Sequence, residues 1–147
     1  MLKQAILDIS SQLQRPPHAE PSIIGIPQNN ASQLDLALKS KDSKLNPYEQ
    51  ERLKAEFLSA GPLDGLLHDQ DITEIMINSP DQIWFEKRGS FKQHKDQFYT
   101  NLTYTNFVHK LLDESNMQVS LNQPFANGSW NGFRVHIATS PITKNYN

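Results

Sequence analysis

The 147-residue chain predicts an α+β fold, with N-terminal helices followed by an antiparallel sheet built as a three-strand meander, a helix and a hairpin. Three observations carry that prediction. Apolar residues recur at helical spacing in Leu2–Leu13, around Leu53 and Phe57, and again from Tyr104 to Leu112. They alternate at strand spacing between Ile72 and Phe91 and between Phe133 and Ile137. The connections between successive strands are tight turns, whereas parallel neighbours need a crossover of a dozen or more residues.

Leu2, Ile6, Ile9 and Leu13 form the stripe of one amphipathic helix over residues 1–14, which stops before Pro16-Pro17. Its role is open between a docking arm and a loosely held terminal helix. Residues 15–45, rich in Pro, Asn, Ser and Gln, read as a flexible linker with at most a helical turn at Leu34–Leu38. Residues 46–147 read as the α+β domain. Asn46-Pro47-Tyr48-Glu49 has the pattern of a capping box with proline at the first helical position, worth on the order of 1 kcal/mol. That helix carries Leu53, Phe57 and Ala60 and ends at Gly61-Pro62, before a short helix from Leu63 to His68. Ile72–Asn78 alternates as a strand, Ser79-Pro80-Asp81 turns the chain, and Gln82–Glu86 returns it. Lys87-Arg88-Gly89-Ser90 turns it again into a third strand from Phe91. The next helix presents Tyr104, Phe107, Val108, Leu111 and Leu112, capped by Asn101 or Thr103. Val119 and Leu121 open a second sheet region, and Asn131-Gly132 is a two-residue hairpin turn between Ser129-Trp130 and Phe133-Arg134.

Composition excludes several functions. Hydrophobic residues are 37% of the chain and charged residues 20%, and the mean hydropathy is −0.60, so part of the chain is expected to stay unpacked. The absence of cysteine excludes a disulfide framework, a Cys-ligated zinc site, an iron–sulfur cluster and a thiol nucleophile. A net charge of −2 and a pI of about 6.2 argue against a nucleic-acid partner. No apolar run approaches the roughly 18 residues of a membrane span, and Asp8 interrupts the first apolar stretch, unlike a signal peptide. The expected location is cytoplasmic.

Chemistry-bearing residues are few. Neither Gly-x-x-x-x-Gly-Lys-Ser/Thr nor Gly-x-Gly-x-x-Gly occurs in the sequence, so the chain alone is expected neither to hydrolyse a nucleotide nor to hold a dinucleotide. His18, His68, His94, His109 and His136 show no paired ligand spacing, and no metal site is expected. Asp69, Asp71, Asp113 and Glu114 read as solvated acids, which leaves no expected catalytic residue. Arg88 reads as a solvated turn residue. Arg134 stands apart: with Phe133 and Val135 turned inward, its guanidinium faces outward, a planar fork suited to phosphate or carboxylate. Spacing alone favours the plainer reading, a surface arginine paired with a nearby acid; His136 shares its face.

Gly61-Pro62-Leu63-Asp64-Gly65-Leu66-Leu67-His68-Asp69, then Ile72–Asn78, then Pro80–Gly89, then Asn131-Gly132-Phe133-Arg134-Val135 with Pro141, form an ordered set. Over about 46–143 it resembles the N-terminal domain of CpaF-type ATPases of tight-adherence (Flp) pilus assembly, within the type II/type IV secretion traffic ATPases. The resemblance implies a PAS-like α+β domain joined to a RecA-like core that holds ATP and Mg in a cytoplasmic homo-hexamer; this chain ends where the connecting segment would start. It also implies partners: the chain's own core, neighbouring subunits, and an inner-membrane platform protein of the pilus or secretion machine that makes the protein peripheral to that membrane. By match, Arg134 is the arginine that faces the nucleotide phosphates in the full-length protein. Ala126-Asn127-Gly128 stand where the family often has an acid and a second arginine, so a two-arginine clamp is not expected. Trp130 and Phe133, flanking the turn, fit subunit packing or a cross-strand pair equally. The function implied is an N-terminal motor domain that couples ATP hydrolysis to domain motion, inactive and cofactor-free by itself. The alternative is a non-catalytic docking module for the platform protein or a regulator.

Overall fold

The three N-terminal helices owe their position to a few aliphatic side chains in otherwise polar sequence. The computed structural model describes residues 1–13, 31–42 and 44–138, with side chains for 34–41 in the second stretch. α1 (Leu2–Leu13), α2 (Ala31–Asp42) and α3 (Pro47–Leu58) meet around Ile6, Ile9 and Leu53, all fully buried, with Leu34, Leu38 and Leu45 closing the cluster. Each such side chain contributes about 1.5–3 kcal/mol on burial. At the rim, Lys41 donates to Asp8 at 2.7 Å. That bond, aided by the Gln4 amide, holds the Asp8 carboxyl below its usual range.

Two expectations change here. The segment read as linker contains a 12-residue helix, because Leu34 and Leu38, four residues apart, give it one buried stripe and tertiary packing supplies what a polar sequence lacks. The rest of the predicted linker, 15–30, lies outside the described residues. α1 is neither a free arm nor a loose terminus, since Ile6 and Ile9 are at the centre of the cluster.

α3 starts as its sequence dictates. The Asn46 side chain accepts from Glu49 N–H at 2.9 Å, and Glu49 returns a bond to Asn46 N–H at 3.2 Å. Its buried face carries a polar network. Arg52, 7% exposed, donates to Glu56 at 2.7 Å, to both Asp96 oxygens at 2.5 and 3.3 Å, and to the Gln97 carbonyl at 2.9 Å. Its guanidinium lies 5.6 Å from the centre of the Tyr99 ring. Glu56 also accepts from Tyr99 N–H at 3.0 Å and from the Thr103 hydroxyl at 2.5 Å. Burial works against the Arg52 charge, but the Asp96 hydrogen bonds and the Glu56 charge together outweigh it and hold the guanidinium above its ordinary value.

After Leu58 the chain turns through Gly61 into a 3-10 turn (Gly61–Leu63) and α4 (Asp64–Leu67). Gly61 has φ +58°, and a Cβ there would approach Phe98 Cε1 to 2.8 Å and Glu56 Oε2 to 3.3 Å. The Phe98 ring, 2% exposed, fills the space that glycine leaves and packs on the Tyr104 and Phe107 rings at 5.5 and 5.4 Å.

β1 (Ile72–Ser79), β2 (Gln82–Lys87) and β3 (Ser90–Gln93) form the antiparallel meander in the order β1-β2-β3. Ile72 pairs with Lys87 and Glu74 with Glu86, so β1 carries one extra residue at Thr73. This bulge shifts the alternation by one. Ile72, Ile75 and Ile77 then share a face with Ile83 and Phe85, where Ile83 is fully buried. Glu74 and Met76 take the other face, with Trp84 and Glu86.

α5 (Asn101–Glu114) is capped one residue earlier than expected. Thr100 Oγ1, not Asn101 or Thr103, accepts from Thr103 N–H at 3.1 Å, and the Thr103 hydroxyl, at the third position of the helix, donates to Glu56. The second sheet is β4 (Phe125–Trp130) paired antiparallel with β5 (Phe133–Ala138). Residues Val119–Asn122, expected as strand, pair with no strand among the described residues and instead lead into a bend over 121–123, where Ser120 N–H donates to the Gln123 carbonyl at 2.9 Å and Ser120 Oγ accepts from Gln123 N–H at 3.1 Å. The chain divides into two compact units, Met1–Phe107 and Val108–Asn147, and within the first α1 and α2 pack onto α3. Meander, helix and hairpin follow in the predicted order.

Gly61→Ala is expected to destabilise the protein by about 2–4 kcal/mol, combining a strained left-handed backbone with overpacking against Phe98; urea unfolding with an unchanged m-value checks it.

Candidate functional site

The hairpin positions the residue that the sequence singles out. Asn131 and Gly132 both have positive φ, +48° and +83°, the conformation of a type I′ turn whose twist matches its strands. The register pairs Trp130 with Phe133, Ser129 with Arg134, Gly128 with Val135, Asn127 with His136 and Ala126 with Ile137. Directly paired residues share a face, so the strands sort into two sets. Ala126 and Trp130, each 8% exposed, define the packed face with Phe133, Val135 and Ile137. Asn127, Ser129, Arg134 and His136 define the exposed one.

Trp130 is fixed by more than its ring, since its indole N–H donates to Glu114. That bond engages one of the acids read as solvated. Trp130 and Phe133 form a direct cross-strand pair.

On the exposed face the Asn127 carboxamide oxygen accepts from His136 Nδ1, a cross-strand bond that orients both side chains. Arg134 lies beside them, and among the described residues its guanidinium makes no ion pair. Neither strand contains an acid. The plainer expectation of an acid-paired surface arginine therefore finds no partner in the described part of the chain. An arginine, a histidine, a carboxamide and a hydroxyl on one acid-free face make a surface that suits an anionic oxygen donor group. Pro141 lies outside the described residues.

The other singled-out residues are engaged elsewhere. Arg88, in a turn where it and Gly89 have positive φ, donates to Asp71 at 2.6 Å. Lys87 donates to Asp69 at 2.6 Å, and this bond, with a further one from Asp71 N–H, holds the Asp69 carboxyl below its usual range. The paired acids of this region thus anchor the β2–β3 turn. His94 Nε2 is 2.9 Å from the Pro62 carbonyl and His68 Nδ1 is 2.7 Å from the Asp64 carbonyl. Among the described residues no three His, Asp or Glu side chains converge as metal ligands. His18 lies outside those residues. No helix among the described residues is long and apolar enough to cross a membrane.

Two features go beyond what the sequence announces, the Arg52 network and the Glu74–Glu86 pairing. An arginine and a glutamate four residues apart on a helix were the visible signal for the first. The second depends on the register of β1 against β2, which alternation alone does not fix. No family model matches the chain, and a search of curated proteins returns no match.

Arg134→Ala is expected to change the free energy of unfolding by less than about 0.5 kcal/mol, as for an exposed side chain with no packing role. Urea unfolding followed by far-UV circular dichroism checks this.

Proposed function

We propose that this chain is the N-terminal domain of a ring-forming secretion or pilus-assembly ATPase of the CpaF type, and that Arg134 contacts the phosphates of a nucleotide held by a RecA-like core. The observation that carries this reading is the exposure of Arg134 on an acid-free strand face, beside His136 and Asn127. The ordered set of motifs from Gly61 to Val135 supports the family assignment.

In this reading the chain itself performs no chemistry. ATP and Mg belong to the core, which carries the Walker boxes, and the domain senses the nucleotide. A charge-assisted hydrogen bond from arginine to phosphate is worth about 1.5–3 kcal/mol. Because it forms only with nucleotide present, that energy biases the domain toward one position relative to the core, by a factor of roughly 10–100. Repeated around a homo-hexamer, such a bias couples hydrolysis to domain motion. The working location is the cytoplasmic side of the inner membrane, reached through a platform protein.

The test is ATP turnover by the full-length hexamer carrying Arg134→Ala. Turnover is expected to fall tenfold or more, in line with the larger losses of roughly 10³–10⁵ seen when an arginine finger is removed. The expected near-neutral effect of this substitution on stability separates that loss from unfolding. Unchanged turnover overturns the nucleotide contact and favours the second reading, a non-catalytic docking module for the platform protein or a regulator.

A further inference from the structure

The meander has one buried face and one open face, and the open one carries an unusual juxtaposition. The β1–β2 register that pairs Ile77 with Ile83 and Ile75 with Phe85 also places Glu74 directly across from Glu86, and Glu86 is in turn directly across from Phe91 on β3. One step along the strands, Met76 pairs with Trp84 and Trp84 with Gln93. Two rows therefore lie side by side on the same face: carboxylate, carboxylate and phenyl, then thioether, indole and carboxamide. Strand spacing of about 4.8 Å and a two-residue step of about 6.7 Å give the patch the dimensions of one long side chain and its neighbours.

Like charges in direct cross-strand register destabilise a sheet. Among the described residues neither Glu74 nor Glu86 has a cation within ion-pair distance. Phe91 is 54% exposed, Glu74 and Gln93 are exposed, and Met76, Trp84 and Glu86 are half-buried. The opposite face holds Ile72 and Ile83 in the core, so register alone keeps both carboxylates on the open side.

The chemistry that satisfies this face is specific. A planar guanidinium stacks on an indole and pairs with carboxylates through its fork, and its methylene stem covers apolar surface beside the ring. A compact, strongly hydrated ammonium gains less from the ring. An anionic lipid surface or a nucleic acid meets two negative charges here. A second copy docking through the same face brings four carboxylates together.

We infer that the open face of the β1-β2-β3 sheet, built on Glu74, Glu86, Trp84, Met76 and Phe91, docks an arginine-bearing segment of a partner protein. The patch is much smaller than the roughly 800 Å² per partner of a stable interface, so the contact is of the transient, short-peptide kind. It is independent of the nucleotide reading of Arg134.

The test uses the 147-residue chain and a fluorescein-labelled pentapeptide, Leu-Arg-Leu-Arg-Leu, titrated by fluorescence polarisation. Its isosteric neutral counterpart carries citrulline in place of each arginine. Binding of the arginine peptide is expected to weaken about tenfold or more in the double variant Glu74→Gln/Glu86→Gln, and the citrulline peptide is expected to bind at least tenfold more weakly than its parent. The control Asp35→Asn/Glu51→Gln makes the same change in net charge at other exposed positions and is expected to stay within twofold of the parent chain. Relief of the like-charge pair is expected to raise the Tm of Glu74→Gln/Glu86→Gln by roughly 1–4 °C, which also shows that this variant folds. The inference is overturned by equal binding of the citrulline peptide, by equal loss in the control variant, by no measurable binding to the parent chain, or by self-association of the chain through this face.

Discussion

The Arg52 guanidinium is the constraint on which the first unit depends. Nearly all of its hydrogen-bonding capacity is directed to three partners, Glu56 on its own helix and Asp96 and Gln97 some 44 and 45 residues further along. Glu56 then reaches Tyr99 N–H and the Thr103 hydroxyl. One buried ion pair thereby fixes α3 against the segment that enters α5, and Glu56 also holds Thr103 in the first turn of α5. Such a pair is weak evidence for net stability compared with an apolar replacement, but losing one partner strands the other charge in the interior. Its value here is positional: it sets where the chain goes after the meander.

Packing around that network follows from it. Gly61 approaches Phe98 closely enough to exclude a side chain, and the same glycine lies beside Glu56. The ring of Phe98 gathers Tyr104 and Phe107, and burial raises the Tyr104 hydroxyl above its usual pKa. On the adjoining face of α3, Leu53 joins the isoleucines of α1 and the leucines of α2. A single helix of mixed composition thus serves two cores, one aliphatic and one ionic with an aromatic rim. The meander contributes its Ile83 face to the interior and leaves its Trp84 face open, and the surfaces with chemistry to offer are strand faces rather than cavities.

Much of this was legible in the sequence, and the exceptions share a cause. Local chemistry announced itself: Asn46 and Glu49 form the box their spacing predicts, Asn131-Gly132 makes its turn, and alternation around Arg134 puts that residue outside. What failed depends on partners distant in sequence. Leu34 and Leu38 gave too short a stripe to be distinguished from linker until Ile6 and Ile9 met them. Thr103 looked like a cap, but it lies in the first turn of α5 and its hydroxyl ties to Glu56, 47 residues away. Val119–Asn122 alternates like a strand, yet Leu121 is 86% exposed, and with no buried face the alternation has nothing to enforce it. The bulge at Thr73 likewise has no sequence mark, although it decides which side Ile72 occupies. Of the candidate site, the position of Arg134 was readable; the Asn127–His136 bond beside it required the strand register.

The role given to Arg52 is tested most directly by the unfolding free energy of Arg52→Met, measured by urea titration at neutral pH. Methionine keeps much of the side-chain volume but removes the charge, leaving Glu56 buried and uncompensated. A loss of about 3–5 kcal/mol is the predicted result. A loss below about 1 kcal/mol would contradict it, because the structure would then hold its course from α3 to α5 without the ion pair.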